Sequence, residues 1–150
     1  MHAKEFLQTK GKFTKLLGID YGKKYVGFAS CDPLHISVYS VNIIANNNEL
    51  LHNFIVDFCS KESVSCIVLG FPFNDSTDNS PFQDEILAFN KGLETLISVP
   101  IYLQDESFST VEAGEIMRIQ GKKKKQRSEK GKKDAIAACV ILRRFFEENQ

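Results

Sequence analysis

Residues 16–30 read LLGIDYGKKYVGFAS. Two apolar, β-prone runs, Leu16–Ile19 and Tyr25–Ala29, flank a short polar turn that contains Gly22. One carboxylate, Asp20, stands at the end of the first run. The pattern predicts a hairpin. Gly22 is expected to supply a positive φ in its tight turn, and Gly27 to allow close packing or the approach of a ligand backbone. An unpaired carboxylate inside a core costs several kcal/mol. Asp20 therefore has to serve as a turn or cap residue, or as an oxygen ligand for a cation.

Outward from this hairpin the chain alternates strands and helices. Residues 1–14 read as a flexible leader. Ser37–Ile44 is a third strand. Asn46–Asn48 caps a helix over 48–61, whose Leu50, Leu51, Phe54, Ile55 and Phe58 share one face. Cys66–Leu69 is a wholly apolar run that ends in Gly70, as a buried parallel strand does. A turn-rich loop, FPFNDSTDNSP, leads to a helix over 81–97. Val99–Leu103 is the next strand. Ser109 and Glu112 form a capping box that opens a helix to about residue 119. A last helix is expected over 133–148. The order predicts a single α/β domain over 15–148, a mixed five-stranded sheet with helices on both faces. Sites in such folds lie beyond the carboxyl ends of the central parallel strands.

The 150 residues suffice for one domain with a core. No apolar run approaches the ~20 residues of a membrane span, and the N-terminal stretch lacks the apolar core of a signal peptide. Cys31, Cys59, Cys66 and Cys139 form no C-x-x-C pair and no zinc-ligand spacing with a histidine. They read as reduced, mostly buried thiols in a cytoplasmic protein. Net charge is zero but unevenly placed. Residues 118–133 hold nine of the 19 basic side chains and one of the 19 acidic ones. This basic segment, with a loop at 120–132, suits either a polyanionic partner or a solvated loop.

Three acidic positions stand at element ends: Asp20, the pair Asp105 and Glu106, and Asp134 at the start of the last helix. Converging carboxylates from separate segments are what Mg²⁺ or Mn²⁺ takes, with waters and substrate phosphate completing the shell. Each acid also has a plainer account, as a turn residue, a solvated charge or a complement to a helix dipole. Dinucleotide and P-loop readings fail, because neither glycine pattern occurs. His2, His35 and His52 lie in unrelated contexts and suggest no catalytic triad.

Four blocks, LLGIDYGKKYVGFAS, VLGFPFNDSTDNSP (68–81), QDESFSTVEA (104–113) and KKDAIAACVIL (132–142), resemble the signature blocks of the YqgF/RuvX-like family. They occur in the family's order across nearly the whole chain. The resemblance implies an RNase H-like fold related to Holliday-junction resolvases. It implies a nuclease for the 5′ end of pre-16S ribosomal RNA, with junction resolution as the older suggestion. It places metal-binding, catalytic acids at Asp20, Asp105 and Asp134. Glu106 matches the second acid of the family's DE pair, and Thr110 and Glu112 its T-x-E. Tyr25 and Ser107 stand where many members carry basic residues, and Lys133 where an apolar residue is usual.

The leading expectation is thus a metal-dependent endonuclease. Gly22, Glu106, Thr110 and Asn74 are secondary site candidates, with Gly70 and Asn74 shaping a cleft wall. Lys23, Lys24, Lys122, Lys123, Lys124, Lys125, Arg127, Lys130 and Lys132 would hold the phosphate backbone without reading sequence. A structured RNA or branched DNA is the partner, and a junction cutter would favour a homodimer. A non-catalytic nucleic-acid or ribosome-binding module is the competing class, because it needs the basic segment but not the acids.

Overall fold

Along residues 16–21 the side chains split between two faces, and both faces are covered. The computed structural model describes residues 1–73, 80–106 and 129–150. Strand β1 (Leu16–Tyr21) turns Leu17, Ile19 and Tyr21 to one side and Leu16 to the other. A strand buried on both faces is the mark of a sheet interior. β1 pairs antiparallel with β2 (Tyr25–Cys31), and β2 with β3 (Val38–Ala45). On its other edge β1 runs parallel to β4 (Cys66–Phe71), and β4 parallel to β5 (Ile101–Asp105). The sheet order is β3-β2-β1-β4-β5, the expected five-stranded mixed sheet.

On the face of Leu17 and Ile19 lie α2 (Asn48–Lys61) and α3 (Ser80–Leu96). Leu51, Ile55, Ile86 and Leu93 are fully buried there against Ile67 and Leu69. The opposite face takes α4 (Glu129–Asn149), which buries Ile141, Leu142, Phe145 and Phe146 against Leu16, Cys66 and Val68.

Several boundaries differ from the sequence reading. Residues 1–14 contain a helix, α1 (Ala3–Gln8), where a flexible leader was expected. Phe6 and Leu7 are buried against the α4 layer, with the Phe6 ring 5.6 Å from that of Tyr102. Six residues give too little periodicity to reveal a helix that two apolar side chains hold down. β5 begins two residues later than expected, after Pro100, which has no N–H for the ladder but accepts from the Ile67 amide at 2.9 Å. α4 begins at Glu129 rather than 133, so the last part of the expected 120–132 loop is helical. Its first residues are polar helix formers with no apolar stripe to betray them. The expected helix after Ser109 lies outside the described residues.

Cys31, Cys66 and Cys139 are buried, Cys59 is half-buried, and none of the four is in a disulfide. Burial pushes the Cys31 and Cys59 thiols up to about 11, and Cys66 higher. The thiolate is the reactive form. A disulfide-exchange dye at pH 8 is therefore expected to titrate these three slowly in the folded chain and at once after denaturation. Rapid native labelling of Cys31 or Cys66 would contradict the packing.

Candidate nucleic-acid cleavage site

The carboxyl ends of β1, β4 and β5 meet at one edge of the sheet. Asp20 is the fifth residue of β1 and pairs with Gly27, so no side chain stands opposite it on β2. The β1–β4 register pairs Ile19 with Leu69, which sets Asp20 level with Gly70. Gly70 in turn pairs with Gln104, and Phe71 with Asp105. The Glu106 amide extends the ladder by donating to the Phe71 carbonyl at 3.2 Å.

Side-chain alternation decides which acids share a face. Asp20 follows Leu16 and Gly18 on the α4 side. Asp105 follows Ile101 and Leu103, which pack on the α2–α3 side. Glu106 returns to the α4 side. A Cβ built on Gly70 would lie 2.8 Å from Glu106 Oε2 and 2.4 Å from Ile141 Cδ1. Glu106 thus folds its carboxylate over the space left by Gly70, beside the strand that carries Asp20. Gly70 leaves room there for the acid.

A second glycine, which the sequence reading passed over, sets the height of α4. A Cβ on Gly18 would meet the Ala138 carbonyl and the Leu142 Cβ at 3.2 Å each. α4 therefore rests close on β1. Asp134 lies one turn before Ala138 in α4, about 6 Å along the axis. The signal for Gly18 was present in the sequence, as a glycine inside an apolar strand.

The β1–β2 turn departs from expectation. Gly22 has no positive φ. Its Cβ would lie 2.4 Å from the Tyr25 carbonyl oxygen, so glycine is required by close backbone approach. The Gly22 carbonyl also accepts from Asn46 Nδ2 at 2.8 Å. Lys23 and Lys24 are exposed at the tip, and the Lys23 ammonium lies 5.6 Å from the Phe82 ring centroid.

Lys130 and Lys132 are in the first turns of α4. Asn74, Thr110, Glu112 and the run Lys122, Lys123, Lys124, Lys125 and Arg127 lie outside the described residues. Among the described residues no group of three His, Cys, Asp or Glu side chains is gathered for a metal, and the Asp134 side chain is not in that set.

Residues 14–148 match the family model described as "RuvX: Holliday junction resolvase". The chain belongs to the RuvX family. A relative from Chlorobium luteolum, named "Putative pre-16S rRNA nuclease", is 34% identical over 91% of this chain and 96% of its own length. One of the same name from Chlamydia pneumoniae is 36% identical over 87% and 88%. Among solved structures, RuvC of Thermus thermophilus superposes with a TM-score of 0.53 at 12% identity, covering 90% of this chain and 96% of that one. The Fowlpox virus resolvase in complex with Holliday junction DNA gives 0.54 at 14% identity, covering 91% and 100%. At such identities the likeness is one of fold, and it bears out the RNase H-like reading of this RuvX-family sheet. No helix among the described residues is long and apolar enough to cross a membrane.

Proposed function

We propose that this RuvX-family chain is a divalent-metal-dependent endonuclease that processes the 5′ end of pre-16S rRNA in the cytoplasm. The observation that carries the reading is the approach of Glu106 to the Asp20 strand end over Gly70. Two hard oxygen donors beside a space with no side chain suit Mg²⁺ or Mn²⁺ better than a soft metal. Asp134, in the first turns of α4, is the third acid of this proposal. A bound ion would activate water and stabilise the leaving oxygen of a phosphodiester. The chain's own part is to hold the acids on two strands and a helix, and to draw the backbone in with Lys23, Lys24 and the basic segment.

The face alternation ranks the two neighbouring acids. Glu106→Gln is expected to lower cleavage at least about 10-fold more than Asp105→Asn, since outer partners of a metal are worth about 10- to 100-fold and direct ligands more. Equal losses would return Asp105 to the metal set. Gly70→Ala acts on the same carboxylate. It displaces only the tips of Ile141 and Glu106, so stability should change little, while Mn²⁺ affinity measured by calorimetry falls about tenfold.

The deciding experiment sets precursor rRNA and a four-way DNA junction side by side with Mn²⁺ and Mg²⁺. Cleavage of the RNA at its 5′ extension supports the proposal. Cleavage of the junction alone would move this chain to the resolvase reading. Binding with no cleavage under either metal would leave a binding module.

A further inference from the structure

On the far side of the β1 strand end, between α2 and α3, is a cavity of about 460 Å³. Tyr21, Lys23, Asn46, His52, Glu85 and Gly92 line it, with Phe89 behind. Tyr21 directly follows Asp20, so the cavity and the acids lie on opposite faces of one strand end. Nothing proposed for the acids uses it. We infer that this cavity is a nucleotide subsite, taking one nucleotide whose base carries an exocyclic amino group.

The volume lies within the roughly 300–1,000 Å³ of small-molecule sites. The lining is of mixed sign. Lys23 offers a cation for a phosphate, and the Asn46 amide oxygen an acceptor for a sugar hydroxyl, its nitrogen being held by the Gly22 carbonyl. Glu85 rules against a site for a bare anion. Its Oε1 accepts from the Tyr21 hydroxyl at 3.1 Å. One bond leaves most of a carboxylate's roughly four lone-pair sites for further donors, and an amino group on a base is such a donor. The His52 ring, stacked over the buried Phe89 at 24° with centroids 6.5 Å apart, gives the base an aromatic partner. Gly92 keeps the space open, because a Cβ there would find only His52 Nε2, at 4.0 Å.

The chemistry is that of a nucleotide, whether free or within a strand that crosses the sheet edge to reach the acids. Only the second source rests on the nuclease reading. The test titrates the full ¹⁵N-labelled chain with AMP, GMP, CMP and UMP and follows amide shifts. Saturable shifts are expected around Tyr21, His52 and Gly92, with UMP about tenfold weaker for want of the amino group. Gly92→Leu fills the cavity at a position where leucine favours the helix, and should abolish the shifts. Glu85→Ala should bring UMP level with the others if the leucine variant fails to fold. Asp20→Asn should bind as the wild type does. A rise in KM for RNA cleavage in Gly92→Leu, at unchanged kcat, assigns the subsite to the strand. Nucleotide binding with unchanged KM assigns it to a free nucleotide. The inference is overturned if none of the four nucleotides gives a saturable shift, or if Gly92→Leu responds as the wild type does. Failure of every cleavage assay would sink the nuclease reading and leave this titration standing.

Discussion

Asp20→Asn is expected to reduce metal-dependent cleavage by at least about 100-fold while the protein stays folded. Even groups one step removed from a bound metal are worth about 10- to 100-fold, so a direct ligand should exceed that. The amide keeps the shape of the side chain and removes one charge from the strand end. The variant should therefore melt close to the wild-type temperature, so that activity is lost without loss of fold. Calorimetry with Mn²⁺ should show reduced heat in the same protein. Cleavage at the wild-type rate would remove Asp20 from the chemistry altogether.

Gly22→Ala is expected to cost about 3 kcal/mol, the upper end of the range for overpacking. The added Cβ would sit 2.4 Å from the Tyr25 carbonyl oxygen. That oxygen belongs to the backbone and cannot rotate away as a side-chain tip can. The hairpin must open, and its opening shifts the strand end that holds Asp20. Denaturant melts read the effect as a lower midpoint at unchanged slope. A further variant separates the two accounts of this glycine. If a left-handed conformation were the requirement, Gly22→Asn would be nearly harmless, because asparagine tolerates it. Since the backbone there has no positive φ, asparagine should be as damaging as alanine.

The contrast between these two positions shows what could be read before any coordinates. Asp20 was conspicuous because its neighbours are apolar and its place is the end of a run. Strand and helix periods are local properties, so β1, β2 and α2 were found nearly residue by residue, and a mixed five-stranded sheet followed from the succession of elements, while the order of its strands came only with the structure. Gly22 was recognised as necessary but for the wrong cause, because the approach of the Tyr25 carbonyl is a matter of three dimensions. The pair Asp105 and Glu106 could not be told apart by spacing either. It took the register of β4 against β5 to put them on opposite faces. α1 escaped because its apolar content is two side chains, Phe6 and Leu7, whose partners are distant in sequence.

Gly18 and Gly70 lie on adjacent strands, and α4 leans on both, through Ala138 and Leu142 at the first and Ile141 at the second. A site seated this way is specified by missing atoms as much as by present ones. In a library of all single substitutions, Gly18 would drop out at the level of folded protein recovered, and so would the large side chains at Gly70, whereas alanine at Gly70 and changes at Asp20 and Glu106 would drop out at the level of turnover. Chemical groups at the edge can then be exchanged in the laboratory for other ligands and other metals, provided the bare seat beneath the helix is inherited intact.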